Sequence, residues 1–191
     1  MRIQKYFVVA IVLLLSGSAQ AAPITATWSG SASIPTASAA PIPATFVITF
    51  QADTSSRITV NSEVFVLDPA TSGTILLNGV LRTFTAPGLR FGVNQGADVI
   101  FLGQGADGDD ILDIGCNPSC ASWDLTTSFG PVFEPSPFGT GSFHDIPTDM
   151  GPLTLLDISD VTFAATVPEP TILAIFGSGI AGLAVAGRRR S

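Results

Sequence analysis

Between residues 22 and 167, apolar side chains come in short runs rich in Val, Ile, Thr and Phe, separated by Gly, Pro, Asn, Asp and Ser. Runs of this kind bounded by turn residues predict strands. They fall at 24–28, 45–50, 58–60, 64–67, 74–77, 80–85, 89–93, 99–102, 111–114, 123–127, 153–156 and 161–166. No window sustains the 3.6-residue period of an amphipathic helix. Many short strands with regular turns predict an all-β domain, an antiparallel β-sandwich or jelly-roll. The sharpest local signal is Leu77-Asn78-Gly79-Val80, because Asn and Gly accept the positive φ angles of a two-residue hairpin turn. Two stretches break the pattern: 29–43, rich in Ser, Ala and Pro, predicts a loop or loose edge, and 131–152, with repeated Pro and Gly, predicts a long excursion.

Two longer apolar runs flank this domain. The first, 7–15, follows Arg2 and Lys5 and precedes Ala19-Gln20-Ala21, a small-residue cleavage site. That layout predicts a secretory signal helix over 1–21, removed to leave Ala22 as the mature N-terminus. The second, 171–187, carries no charge over seventeen residues, and about 17 is the lower limit for a helix spanning hydrocarbon. Pro168 and Pro170 cannot extend that helix backwards, so the residues before it form an extended, accessible linker. Arg188, Arg189 and Arg190 follow the run and favour a cytoplasmic C-terminus. Ala174, Ser178, Gly182 and Ala186 line small side chains along one face of the predicted helix, which would let another helix approach closely. The expected organisation is a signal peptide at 1–21, a β domain at 22–166, and a tail at 167–191 with one transmembrane helix at 171–187.

Val167-Pro168-Glu169-Pro170, a short Gly/Ala/Leu/Ile run and a terminal Arg cluster, in that order, resemble the PEP-CTERM sorting signal of Gram-negative bacteria. This signal is also catalogued as an ice-binding-protein C-terminal domain, a label that does not imply ice binding. The resemblance implies that Pro168, Glu169 and Pro170 are a recognition element, 171–187 a transient membrane anchor and Arg188–Arg190 its stop. It implies exosortase, a membrane-embedded cysteine protease, as partner, with release to the cell surface, extracellular polysaccharide or biofilm matrix. The resemblance covers only the tail.

Charge excludes one class of partner. Of the eight basic residues only Arg57, Arg82 and Arg90 belong to the domain, whereas all fifteen carboxylates except Glu169 do. Nucleic-acid binding needs clustered Lys and Arg to displace counterions from phosphates, so no nucleic acid is expected. Cys116 and Cys120 are the sole cysteines. In an exported domain their simplest use is a disulfide closing a tight loop. Zinc would want four ligands, and His144 is the one histidine that could join the two sulfurs.

The acidic stretch containing Asp107, Asp109, Asp110 and Asp113 is the one candidate metal site, for calcium, which takes six to eight oxygens from such turns. An EF-hand register fails, since counting from Asp107 puts Ile111 and Leu112 where an oxygen ligand and a Gly belong. The same residues fit an acidic hairpin turn between 99–102 and 111–114. No catalytic residue is expected: Gly141-Ser142-Phe143-His144-Asp145 lacks the Gly-x-Ser-x-Gly elbow of a nucleophilic serine. Trp123, beside the cysteine loop, is the aromatic that could stack on a sugar or serve as core. The sequence therefore predicts an exported, non-enzymatic protein with no required cofactor and a structural or binding role. A calcium-dependent carbohydrate-binding module is the alternative, and a glycan-acting enzyme the third choice.

Overall fold

The computed structural model describes residues 22–37, 40–67, 73–85, 88–104, 110–137 and 143–168. The expected signal helix, the apolar tail run at 171–187, Glu169, Pro170, the terminal arginines, Asp107 and Asp109 lie outside them. Among the described residues the protein is nearly all β, with antiparallel strands and one 3-10 turn, Thr54–Ser56. No helix there is long and apolar enough to cross a membrane.

Eleven strands form two sheets among these residues. They are β1 (Pro23–Ile34), β2 (Ile42–Asp53), β3 (Arg57–Val60), β4 (Glu63–Leu67), β5 (Thr74–Leu77), β6 (Val80–Thr83), β7 (Leu89–Asn94), β8 (Val99–Gln104), β9 (Asp110–Gly115), β10 (Phe129–Glu134) and β11 (Leu156–Thr166). One sheet has the order β10-β11-β1-β2-β5-β6, the other β3-β4-β7-β8-β9. Alternation decides which residues face inward, because successive strand side chains point to opposite faces. Trp28 on β1 and Phe50 on β2 meet Phe91 on β7 edge-on, with ring centroids 5.9 and 5.1 Å apart. These contacts close the two sheets over one core. Trp28, Phe50, Phe91 and Phe163 are fully buried in it.

The expected hairpin at Asn78-Gly79 joins β5 to β6, with φ of 48° and 82° and Leu77 opposite Val80. The Asn78 side-chain oxygen accepts the Thr45 backbone N–H at 2.9 Å, which ties the turn to β2.

Four expectations are corrected. The stretch 29–43 is mostly strand: β1 runs on to Ile34, and β2 begins at Ile42, opposite it. Small residues are required there, because Gly30 lies against the Ser159 carbonyl, Phe46 and Val161, and Ala32 and Ala44 are core. The excursion at 131–152 opens with a strand, since β10 spans Phe129–Glu134 and pairs with β11. Its Pro131 is tolerated because β10 is an edge strand. Residues 123–127 are a turn with Leu125 at φ 67°, closed by the Trp123 indole N–H donating to the Thr127 carbonyl. Finally, 153–156 is no separate strand: Leu153 makes an isolated bridge to Ile146, and Leu156 already opens β11.

Candidate functional site

The tail leaves the sandwich straight from a strand. β11 ends at Thr166, opposite Thr25 of β1. Val167 is still held: its N–H donates to the Ser128 hydroxyl oxygen at 3.0 Å, and that hydroxyl donates to the Val167 carbonyl at 3.3 Å. Its side chain packs against the core, and Pro168 is exposed. The chain enters at the same end, where Ala22 and Thr54 exchange hydrogen bonds of 3.2 and 3.1 Å. Arg57 lies 3.0 Å from Asp124 beside them. For Asp124 partial burial works against ionisation, but hydrogen bonds from Thr126 and the charge of Arg57 outweigh it and hold the carboxyl below the usual range.

Residues 166–190 match the family model for the PEP-CTERM protein-sorting motif. The tail is a PEP-CTERM sorting motif. The motif begins on the last residue of β11 and contains Val167, the expected recognition element Pro168, Glu169 and Pro170, and the three arginines expected as its stop. It marks an exported protein sorted by exosortase, anchored in the membrane transiently. Comparison with curated proteins and with solved structures returned no match.

The outer face of the five-stranded sheet carries a second cluster, of which the sequence singled out only Asp110 and Asp113. Phe65 of β4, Gly92 of β7 and Phe101 of β8 are cross-strand neighbours. With no side chain on Gly92, the two rings approach to 6.5 Å, and Arg90 lays its guanidinium over both, 5.2 and 5.0 Å from the centroids. Only 8% of the Arg90 side chain is exposed. Cation–π attraction and three carboxylates compensate this burial. Asp110 lies 3.4 Å from the guanidinium, Glu63 lies 3.8 Å away, and Asp113 stands opposite Phe101 on β9. The clue available in the sequence was the scarcity of cations: a lysine-free domain with three arginines has few ways to neutralise a carboxylate cluster.

One cation does not neutralise three carboxylates. Burial, then the charges of Asp110 and Glu63, raise Asp113 from 3.8 to about 7, with Arg90 pulling the other way. Its Oδ1 is buried and has no hydrogen-bond partner among the described residues. The folded state therefore keeps a proton on Asp113 between about pH 4 and pH 7 where the unfolded chain has lost it, and stability falls as pH rises through that window. For a half-buried group screened by water the loss is about 1–2 kcal/mol. Asp113→Asn is expected to flatten the pH profile and to raise stability at pH 8 by a similar amount. Urea midpoints at pH 5 and pH 8 test this, and a wild-type protein equally stable at both would exclude it.

The remaining candidates have plain places. Cys116 and Cys120 are joined in a disulfide, with Cα atoms 5.7 Å apart. Asp98 lies close to both sulfurs, but its carboxylate accepts the Cys120 N–H at 2.7 Å and the Ser119 hydroxyl at 3.0 Å. It fixes the loop, and bridged sulfurs are not the thiolates a metal needs. Of the four aspartates proposed for calcium, Asp110 is turned to Arg90 and Asp113 to the same cluster. Trp123 is buried, stacked on Phe129 at 4.9 Å, so it is core and offers no sugar platform. His144 is exposed, its Nδ1 3.0 Å from its chain neighbour Asp145.

Proposed function

We propose that the sandwich is the cargo of the sorting motif: a non-enzymatic domain that exosortase releases to the cell surface or extracellular matrix, where it acts by structure or binding. One observation carries this reading. β11 runs into the motif without an intervening residue, so the sandwich itself is what the tail delivers. Two features agree with it. A disulfide suits an oxidising destination, and a strongly acidic surface resists self-association through charge repulsion.

The calcium-dependent carbohydrate module loses the stacking tryptophan the sequence offered, because Trp28 and Trp123 are both buried. A glycan-acting enzyme would need two carboxyls facing each other across an accessible cleft. Asp110, Asp113 and Glu63 instead gather around an arginine.

The test is expression in a Gram-negative host with and without exosortase, followed by mass spectrometry of the released and membrane fractions. The expected released species begins at Ala22 and ends near Pro168–Pro170, and without exosortase the arginine-ended chain stays with membranes. An intact tail confined to cytosol would refute the reading. Incubating the released domain with the host's extracellular polysaccharide separates the roles. Binding unaffected by chelation, without new reducing ends, is expected; turnover would make it an enzyme, and loss of binding on chelation a calcium-dependent module.

A further inference from the structure

The distance between the folded domain and the apolar run is short enough to constrain the protease. Among the described residues, Val167 is the last that hydrogen-bonds to the sandwich, through Ser128. The apolar run begins at Thr171, leaving Pro168, Glu169 and Pro170 between them. Even fully extended, four Cα steps reach about 13–14 Å. A single α-helix with its side chains is about 10–12 Å across. A membrane-embedded enzyme can therefore place no more than about one helix-thick layer between lipid and sandwich, and any approach to the tether brings it against the domain.

The same end is fixed from both sides. β1 and β11 are antiparallel neighbours with Thr25 opposite Thr166, so the N-terminal leader and the tail leave from one end. That end is built from Ala22, the Asp53–Arg57 segment and the Asp124–Ser128 turn, linked by the hydrogen bonds between Ala22 and Thr54 and between Arg57 and Asp124. Anionic lipid is a poor neighbour for it, because the segments 53–57 and 124–128 carry Asp53 and Asp124 against the single Arg57.

Resting on the reading that exosortase cuts this tail, we infer that this end of the sandwich abuts the outward face of the protease during cleavage. The fold thus sets which surface the enzyme must accommodate. Ser55 and Thr127 are exposed there, while Val80 is exposed beside the Asn78-Gly79 turn at the other end.

The experiment follows the rate of processing in cells by the mass shift of the pulse-labelled chain. S55R/T127R is expected to slow cleavage about tenfold, a loss of one decade in effective encounter, while V80R is cut at the wild-type rate. Circular dichroism and the thermal midpoint of each variant establish that both fold. Inserting twelve Gly/Ser residues between Val167 and Pro168 lengthens the tether several-fold and is expected to restore the rate of S55R/T127R. A folded S55R/T127R cut as fast as wild type overturns the inference, as does a long linker that restores nothing. A wild-type chain that exosortase leaves uncut would instead refute the sorting reading, and the inference with it.

Discussion

Replacing Arg90 with methionine is expected to destabilise the sandwich by about 3 kcal/mol at pH 8, the range for removing one partner of a buried ion pair. Methionine keeps most of the length and apolar contact with Phe65 and Phe101, so the loss isolates the charge. Without the guanidinium, Glu63, Asp110 and Asp113 face one another with no cation among them, and the cation–π contacts with both rings vanish. The penalty depends on ionised carboxyls, so it should shrink toward pH 4, where folded and unfolded chains both take up protons. The pH slope already present in the wild type through Asp113 should become steeper. Urea denaturation of both proteins at pH 5 and pH 8 provides the measurement. An Arg90→Met variant within 1 kcal/mol of wild type at pH 8, or equally weakened at both pH values, would show that the cluster is not held by the arginine.

What the sequence disclosed and what it hid follow from the range of the interactions. Strands with large apolar residues, such as β2 and β11, announce themselves by alternation, and Asn78-Gly79 encodes its turn in two residues. The second half of β1 does not, because Gly30 and Ala32 are kept small by β2 and β11, whose contacting residues lie twelve or more positions away in sequence. β10 was concealed by Pro131, which reads as a strand breaker unless the strand is known to lie at an edge. The sorting motif was fully legible because its parts are contiguous: linker, apolar run and arginines need no fold to be read. The Arg90 cluster was illegible for the opposite reason, since it draws on β4, β7, β8 and β9 and exists only once their register is set.

That register depends on a glycine. Substituting Gly92 with alanine is expected to cost about 3–4 kcal/mol, above the usual range for an overpacked site. A Cβ on Gly92 would sit 2.3 Å from the Val64 carbonyl oxygen and 2.6 Å from Cβ of Phe65. The first neighbour is backbone of the paired strand and cannot rotate away, so β4 and β7 must separate. Separation breaks the ladder between Val64 and Val93 and pulls Phe65 off Arg90. Gly79 supplies the control. It needs positive φ, at 82°, yet an added Cβ would meet nothing within 4 Å, so Gly79→Ala should lose only about 1 kcal/mol from backbone strain. The comparison, read from urea midpoints of the two variants at one pH, separates steric exclusion between strands from conformational preference within a turn. If both cost the same, the close approach of β4 to β7 is not what demands glycine at position 92.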